Sequence, residues 1–419
     1  MDAMRNMPIL RALPYPYRAM ISICSDLDET PDELSYADMI RYLNGNEDTM
    51  FGHGLGLEIG NSIYFDMPKG QFSYWNASEK MREIVRILMR SGHIDCIHSF
   101  GDLAKTRSCA EKALEELERH GCRVKVWVDH AVAPSNFGGD IMKGEGDIPG
   151  SLSYHADLTL AYGIRYIWMG RVTSVIGQDV ARQYGGIYNV NHPFSSVKTL
   201  AKETVKNNLA NTFGGKYSMH TGNVILREVT LRDGRNAIEF IRCNPHWGGV
   251  SSCDTADGFG SVLTPNVLDL LEGRRGTCIL YTHLGKIRDR QRLLHAGTVT
   301  ALRILVDRVR DGGILLTTTR KLLDYAHVRR NLRFGSVREG DWLQIFLGIP
   351  SGTEEFGVGE LEGITFYVDD PEKTRLLLGT REIMNLKRNP PDETGRRSVS
   401  IPWTHLTLPA IGCRKEFQS

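Results

Sequence analysis

Two carboxylates stand two residues apart in the segment CSDLDET, directly after the apolar run MISI. They are Asp26 and Asp28, and they follow a predicted strand at Met20–Cys24. An acid in this position often caps the next helix, and that remains one interpretation of each residue. Two neighbouring carboxylates can also divide the work of a hydrolase, because one can bind an ion while the other takes a proton from water. The segment therefore predicts either a helix cap or the start of an active site.

Other predicted strands also end in polar side chains. These are His98 with Asp102, Asp129 with His130, Arg242, and His283. In an α/β barrel the C-terminal ends of the strands form the active site, so these side chains are expected to converge. Each has a structural alternative as a hydrogen-bonded pair, a solvated loop, a buried ion pair or a core histidine. Asp and His together are typical ligands of zinc or another transition metal, so the set favours a metal-dependent hydrolase.

The elements that must position these residues alternate along the chain. Segments such as ASEKMREIVRILMRSG and SCAEKALEELERHG carry apolar residues at helical spacing between short apolar strands. About seven strand signals separated by helices predict an α/β fold with a parallel sheet, and a barrel is favoured over a doubly wound sheet. The first strand is not followed by G-x-G-x-x-G, and the sequence has no Walker A lysine loop, so the phosphate cradle of the common nucleotide-binding folds is missing.

The pattern changes near Leu332, where short strands and turns replace the alternation. We therefore predict two domains, a barrel over residues 1–330 and a small β-sandwich-like accessory domain over residues 331–419.

The bulk composition is that of an ordinary globular protein. The chain has 419 residues, of which 41% are hydrophobic and 24% charged, and its net charge is +1. This charge balance gives no reason to expect nucleic acid or a charged membrane as a partner. No segment predicts a signal peptide or an integral membrane segment, so the expected location is the cytoplasm; the oligomeric state is left open.

Three segments resemble motifs of a known family. GHIDCIHSFGDL, at residues 92–103, is similar to the second motif of the NodB-type polysaccharide deacetylases, roughly G-H-x-(I/V)-x-x-H-(S/T)-x-x-H. His93, His98 and Ser99 fall in register with it, and Asp102 stands where the family has a second histidine. SDLDE resembles the family's first motif and YTHL its last, and the three occur in the family order.

The resemblance covers about residues 18–330 and implies a distorted (β/α)7-type barrel that removes an N-acetyl group from a sugar. It implies Asp26 as general base and His283 as general acid. It further implies Asp28, His98 and Asp102 as metal ligands, with His130 as an alternative third ligand. The predicted substrate-binding residues are Arg242, Asp129, His130 and Trp247. Arg242 also lies in an Arg-x-x-Pro segment that could take over the orientation of the base.

The expected cofactor is a divalent ion, with zinc favoured over cobalt, nickel, manganese and iron. The expected partner is a small or polymeric N-acetylated carbohydrate, in a divergent branch of the family that serves surface-polysaccharide or lipopolysaccharide synthesis. Two alternatives stay open: a C–N hydrolase acting on a non-sugar amide, and a degenerate barrel that only binds carbohydrate. An ion pair between Asp102 and a structural arginine would favour the degenerate barrel.

Overall fold

The protein has a mixed α/β fold, described here by a computed structural model for residues 7–131, 133–180, 193–213, 223–246, 252–289, 291–348 and 357–411. The strands that precede residue 330 are β1 (Ile9–Leu10), β2 (Ala19–Ser25), β3 (Asp48–Thr49), β4 (Gly52–His53), β5 (Gly60–Ile63), β6 (Ile94–His98), β7 (Val126–Val128), β8 (Tyr166–Trp168), β9 (Val172–Thr173), β10 (Leu226–Thr230), β11 (Asn236–Phe240), β12 (Arg242–Cys243), β13 (Thr277–Tyr281) and β14 (Ile314–Leu316). The helices are α1 (Glu33–Asn44), α2 (Glu79–Ser91), α3 (Arg107–Arg119), α4 (Ala156–Tyr162), α5 (Pro193–Phe213), α6 (Pro265–Arg274), α7 (Ala296–Arg310) and α8 (Thr319–Asn331).

The largest sheet is a curled parallel sheet. Its strand order is β10-β11-β8-β7-β6-β5-β2-β13-β12-β9, and β14 pairs with the first half of β2. Every pair along this order is parallel except the hairpin of β10 and β11. Only Ile241 separates β11 from β12, although β11 pairs with β8 and β12 with β13. The sheet therefore curls back toward itself, as a distorted barrel would.

The helices begin and end where their capping residues stand. The side chain of Ser78 accepts a hydrogen bond from the backbone N–H of Met81 at the start of α2, and Gly92 ends that helix with a left-handed φ of 83°. Thr264 caps α6 in the same way, and Pro265 occupies its first turn. These signals lie in the sequence, and both helices were predicted from it.

The C-terminal strands form two further sheets of four strands. The strands are β15 (Arg333–Glu339), β16 (Trp342–Gly348), β17 (Thr365–Tyr367), β18 (Thr374–Leu378), β19 (Arg381–Glu382), β20 (Lys387–Asn389) and β21 (Ser398–Ser400). One sheet has the order β15-β16-β18-β19, and the other the order β1-β17-β21-β20. The second sheet includes β1 from the start of the chain, so it joins residues from both sides of the predicted domain boundary at residue 330.

A shared hydrophobic core connects these sheets with the curled sheet. Trp168 and Tyr281 of the curled sheet belong to the same buried cluster as Leu343, Phe366 and Val399 of the C-terminal sheets. Within the described ranges, none of the helices combines the length and the apolar character needed to cross a bilayer.

Candidate functional site

A buried ion pair joins the ends of two strands of the curled sheet. Asp26 directly follows β2, Arg242 opens β12, and both side chains are fully buried. Nη1 of Arg242 donates to Oδ2 of Asp26, and Nη2 donates to Oδ1 at 3.1 Å, so the contact is bidentate. Burial alone would raise the pKa of Asp26, but the charge and hydrogen bonds of Arg242, together with the charges of His98 and His283, lower that pKa. Asp26 is therefore held as a carboxylate in a fixed orientation.

A second pair joins His283 to Asp254. Asp254 ends a short 3-10 helix, Ser252–Asp254, and its Oδ1 lies 2.9 Å from Nδ1 of His283. Because a carboxylate can only accept, Nδ1 of His283 carries a proton in this contact. Burial disfavours the imidazolium, but the bond to Asp254 and the charges of Asp28 and Asp26 raise the pKa of His283. His283 is therefore biased toward its protonated form.

Asp28 is buried near these two pairs, within range of the charges of His283 and Asp26. Its Oδ2 lies 3.3 Å from Nζ of Lys286, and no donor in the described part of the chain reaches its Oδ1. Burial raises the pKa of Asp28 against the charges of His283, Lys286 and His130. Gly285 permits the close approach, because a Cβ there would lie 2.5 Å from the carbonyl oxygen of Asp28. A buried carboxylate oxygen without a donor is a place where a cation or water can bind.

Two histidines complete the cluster, and each has its Nδ1 held by a neighbour. Nδ1 of His98, at the end of β6, lies 2.7 Å from the hydroxyl of Tyr64, and the two rings stack at 4.6 Å. Nδ1 of His130 lies 2.9 Å from Oδ1 of Asp102. The two imidazoles meet edge to face, with ring centroids 5.0 Å apart. Because these contacts hold Nδ1 of each ring, Nε2 is the ring atom that could bind an ion.

The protonation of the two histidines differs. Burial holds the pKa of His98 well below its usual value, so this ring is neutral. Burial also acts against the charge of His130, but its hydrogen bond to Asp102 and the charge of Asp28 raise its pKa. The same hydrogen bond lowers the pKa of Asp102.

Three residues of the cluster are followed by residues with a strained backbone. Glu29 after Asp28, Ser99 after His98 and Ala131 after His130 have φ values of 58°, 45° and 44°. This left-handed region is unfavourable for residues other than glycine, and such strain concentrates at functional sites. The coincidence at Asp28, His98 and His130 indicates that the fold holds these three side chains in particular orientations.

Two of the predicted substrate-binding residues, Asp129 and Arg242, make their polar contacts with other groups of the protein. The fully buried Asp129 accepts hydrogen bonds from Nε1 of Trp127 and from the backbone N–H groups of Phe137 and Gly138, at 2.7 to 3.0 Å. Burial raises its pKa to about 7. Asp129 therefore anchors its own loop, and its role in binding a substrate stays a prediction. Arg242 is likewise enclosed against Asp26.

The predictions for Trp247 and for the metal ligands have other outcomes. Trp247 lies outside the described residues. Asp28, His98 and Asp102, the predicted ligands, are not assembled around one point: within the ranges given above, no group of three or more His, Cys, Asp or Glu side chains is placed to hold a metal ion. Asp102 contacts His130, which was the alternative ligand.

Three residues of the site were missed as such in the sequence. Asp254, Tyr64 and Lys286 stand in connecting segments without strand or helix periodicity, and they reach the site as partners of predicted residues. Lys286 had a sequence signal, since it follows His283 by three positions. Tyr64 was indicated only as one of several aromatic residues that could stack on a sugar, and Asp254 had no signal.

Comparisons with known proteins are weak. No family model matches the chain, and no curated protein matches it. Among solved structures, the endo-beta1,6-glucanase BT3312 aligns over 94% of this chain and 91% of its own, with 7% sequence identity and a TM-score of 0.31. At this TM-score the likeness does not establish a shared fold, and no activity follows from it.

Proposed function

We propose that the protein is a metal-dependent hydrolase that removes an N-acetyl group from a carbohydrate, built on a distorted (β/α)7-type barrel and acting in the cytoplasm. The observation that carries the proposal is the pair of opposed titratable groups around Asp28. Arg242 lowers the pKa of Asp26, and Asp254 together with nearby acids raises the pKa of His283. Groups whose pKa values are pushed apart in this way suit a general base and a general acid.

The donor types at the site fit a divalent ion. Asp28 offers a buried oxygen that no described residue saturates, and His98 and His130 offer Nε2 atoms whose rings are fixed through Nδ1. Metal-binding histidines commonly have their other nitrogen held in this way. Within the described ranges these three side chains are not grouped closely enough to hold an ion as they stand. Ion binding would therefore draw them together, with Asp102 as the partner of His130. A divalent ion bound there would polarise the acyl carbonyl and acidify the attacking water.

The residues of the chain would perform the proton transfers. Asp26, ionised and oriented by Arg242, takes a proton from the water whose oxygen adds to the acyl carbon. His283, held through Nδ1 by Asp254, gives the proton on Nε2 to the amide nitrogen as the C–N bond breaks. The products are acetate and the free amine of the sugar.

The partner of Asp102 bears on the degenerate-barrel alternative. That alternative expected an ion pair between Asp102 and a structural arginine. Asp102 instead binds His130, which is one of the candidate ligands, so this contact favours the enzyme.

Product analysis tests the proposal. Metal-stripped protein is incubated with N-acetylglucosamine oligomers before and after zinc is restored, and the oligomers are examined by mass spectrometry for acetyl loss. We expect deacetylated oligomers only after zinc is restored. Loss of acetyl from a simple aryl amide but not from the sugars would mean that the enzyme acts on non-sugar amides. No deacetylation of either substrate with zinc, cobalt, nickel, manganese or iron would contradict the proposal.

A further inference from the structure

Lys286 contacts two consecutive acids at the border between the buried site and solvent. Its Nζ lies 3.3 Å from Oδ2 of Asp28 and 3.1 Å from Oε1 of Glu29. The side chain of Asp28 is 2% exposed, whereas that of Glu29 is 56% exposed. The ammonium of Lys286 therefore has one buried and one solvent-facing carboxylate within reach.

The backbone around these three residues is fixed by hydrogen bonds. The N–H of Lys286 donates to the carbonyl oxygen of His283 at 3.1 Å, and the N–H of Gly285 donates to that of Asp26 at 3.2 Å. These bonds attach the turn after β13 to the segment that follows β2. The four-carbon stem of Lys286 is flexible, so its ammonium can still move between the two acids while their backbone stays in place.

Asp28 is the least tightly held of the four aspartates in the candidate site. Its contact with Lys286 is the longest of their ion pairs, and no donor within the described ranges reaches its Oδ1. The other three are held at 3.1 Å or less: Asp26 by Arg242, Asp102 by His130, and Asp254 by His283. The pair of Asp28 and Lys286 is therefore the one that an incoming cation would separate most easily.

We propose that Lys286 competes with the divalent ion for Asp28: its ammonium holds Asp28 in the ion-free protein and moves to Glu29 when an ion binds. This inference rests on the ion site of the proposed function. An ion and an ammonium beside the same carboxylate repel each other, and the repulsion is strong because Asp28 is buried. The apparent affinity for the ion is then reduced to the fraction of molecules in which Lys286 has left Asp28.

The zinc affinity of the metal-free full chain, measured by competition with a chelator, tests the proposal. Lys286→Met removes the competing ammonium and should bind zinc at least about tenfold more tightly than the wild type. Lys286→Gln also loses the charge but keeps a hydrogen-bond donor, so it serves if the methionine variant does not fold, and it should show the same change. Lys373→Met is the matched control, because Nζ of Lys373 lies 2.7 Å from Oδ2 of Asp341 in an ion pair of the C-terminal sheets, and it should bind zinc as the wild type does.

Glu29→Gln separates competition from a general effect of charge. In the wild-type background this variant removes the carboxylate that receives the displaced ammonium, so zinc binding should weaken. In the Lys286→Met background there is no ammonium to receive, so Glu29→Gln should change zinc binding little. The two changes are therefore expected to be non-additive. Glu29 is exposed, so these variants should fold as their parents do.

Three results would overturn the proposal. They are equal or weaker zinc binding by both Lys286 variants, an equal effect of Glu29→Gln in the two backgrounds, and no zinc binding by the wild type and the Lys286 variants alike. The first two leave the proposed function intact, because the wild type still binds its ion. Tighter zinc binding by Lys286→Met without deacetylation by the zinc-loaded wild type would support the competition and contradict the proposed function.

Discussion

Replacing Arg242 by methionine should destabilise the protein strongly, because it leaves the charge of Asp26 buried without its partner. Both side chains are fully buried and share two hydrogen bonds, and the guanidinium also lies 4.4 Å from the ring centroid of Trp168. Breaking a buried pair by removing one partner costs about 3–5 kcal/mol. For a chain of 419 residues this lowers the melting temperature by roughly 3–6 °C.

The stability lost in Arg242→Met should grow as pH rises. In the wild type the pKa of Asp26 is lowered, so its contribution to stability is present at neutral pH and is lost as pH falls through that pKa. In Arg242→Met, burial acts unopposed by the guanidinium and raises the pKa of Asp26. The variant then loses stability as pH rises, so the difference from wild type should be smaller near pH 5 than near pH 8.

Urea denaturation followed by circular dichroism measures both effects. The control is the double variant Asp26→Leu/Arg242→Met, which replaces the whole pair by apolar side chains and should cost much less than the sum of Asp26→Leu and Arg242→Met. A cost below about 1 kcal/mol for Arg242→Met, or a double variant whose cost equals that sum, would refute the reasoning.

Three further predictions concern other buried contacts. Asp254→Asn removes the charge that raises the pKa of His283, so the alkaline limb of the pH–rate profile should move to lower pH and the rate should fall by about 10²-fold or more; an unchanged limb would exclude Asp254 as the partner that tunes the acid. Tyr64→Phe removes the hydroxyl that holds Nδ1 of His98, so zinc affinity measured by competition with a chelator should fall by about 10- to 100-fold, and unaltered affinity would argue against His98 as a ligand. Asp95 is buried and its pKa is raised to about 6, so the folded protein loses stability as pH rises from the pKa of Asp95 in the unfolded chain to about 6. Asp95→Asn should therefore stabilise the protein by up to about 3 kcal/mol at pH 8 and by nothing below pH 4. A variant that is less stable than the wild type at pH 8 would contradict this.

The strand ends were predictable because a buried parallel strand has a simple signature. The first strand was expected at Met20–Cys24 and lies at Ala19–Ser25, which places Asp26 at its end. His98 was found by the same rule, since an apolar run that ends in a polar residue marks the C-terminal edge of the sheet. The rule also selected Arg242, which in the structure opens the short strand β12. The rule selects positions but does not reveal partners. It therefore placed Arg242 and Asp129 beside a substrate, although both are enclosed by protein groups.

Two segments were misjudged, one without a clear period and one with a helical period. GLGLEIGNSIYFDMPKGQFSYW alternates glycines with apolar and aromatic residues, a pattern typical of paired strands with turns. Its only described strand is nevertheless β5, Gly60–Ile63, which pairs in parallel with β2 and β6. Tyr64 follows this strand and owes its position to packing against His98, which no local pattern encodes. The helix Thr319–Asn331 was not predicted, although Thr318 precedes it and apolar residues recur within it at helical spacing.

The C-terminal part could be predicted only in outline. Short strands after residue 332 were expected and are present. The pairing of Ile9–Leu10 with β17 joins residues more than 350 positions apart, and a two-residue strand carries no periodicity from which such a contact could be inferred. The division into domains at residue 330 stays a prediction.

Acetate release is the most direct test of the central claim that Asp26 acts as the base of a metal-dependent deacetylase. The rate is measured between about pH 5 and pH 9 for zinc-loaded wild type, for Asp26→Asn, and for Asp95→Asn as the control with another buried carboxylate. The proposal predicts acetate release from N-acetylated oligosaccharides by the wild type and by Asp95→Asn, with a loss of about 10²- to 10⁴-fold in Asp26→Asn. No acetate from the wild type, or equal rates for wild type and Asp26→Asn, would contradict it.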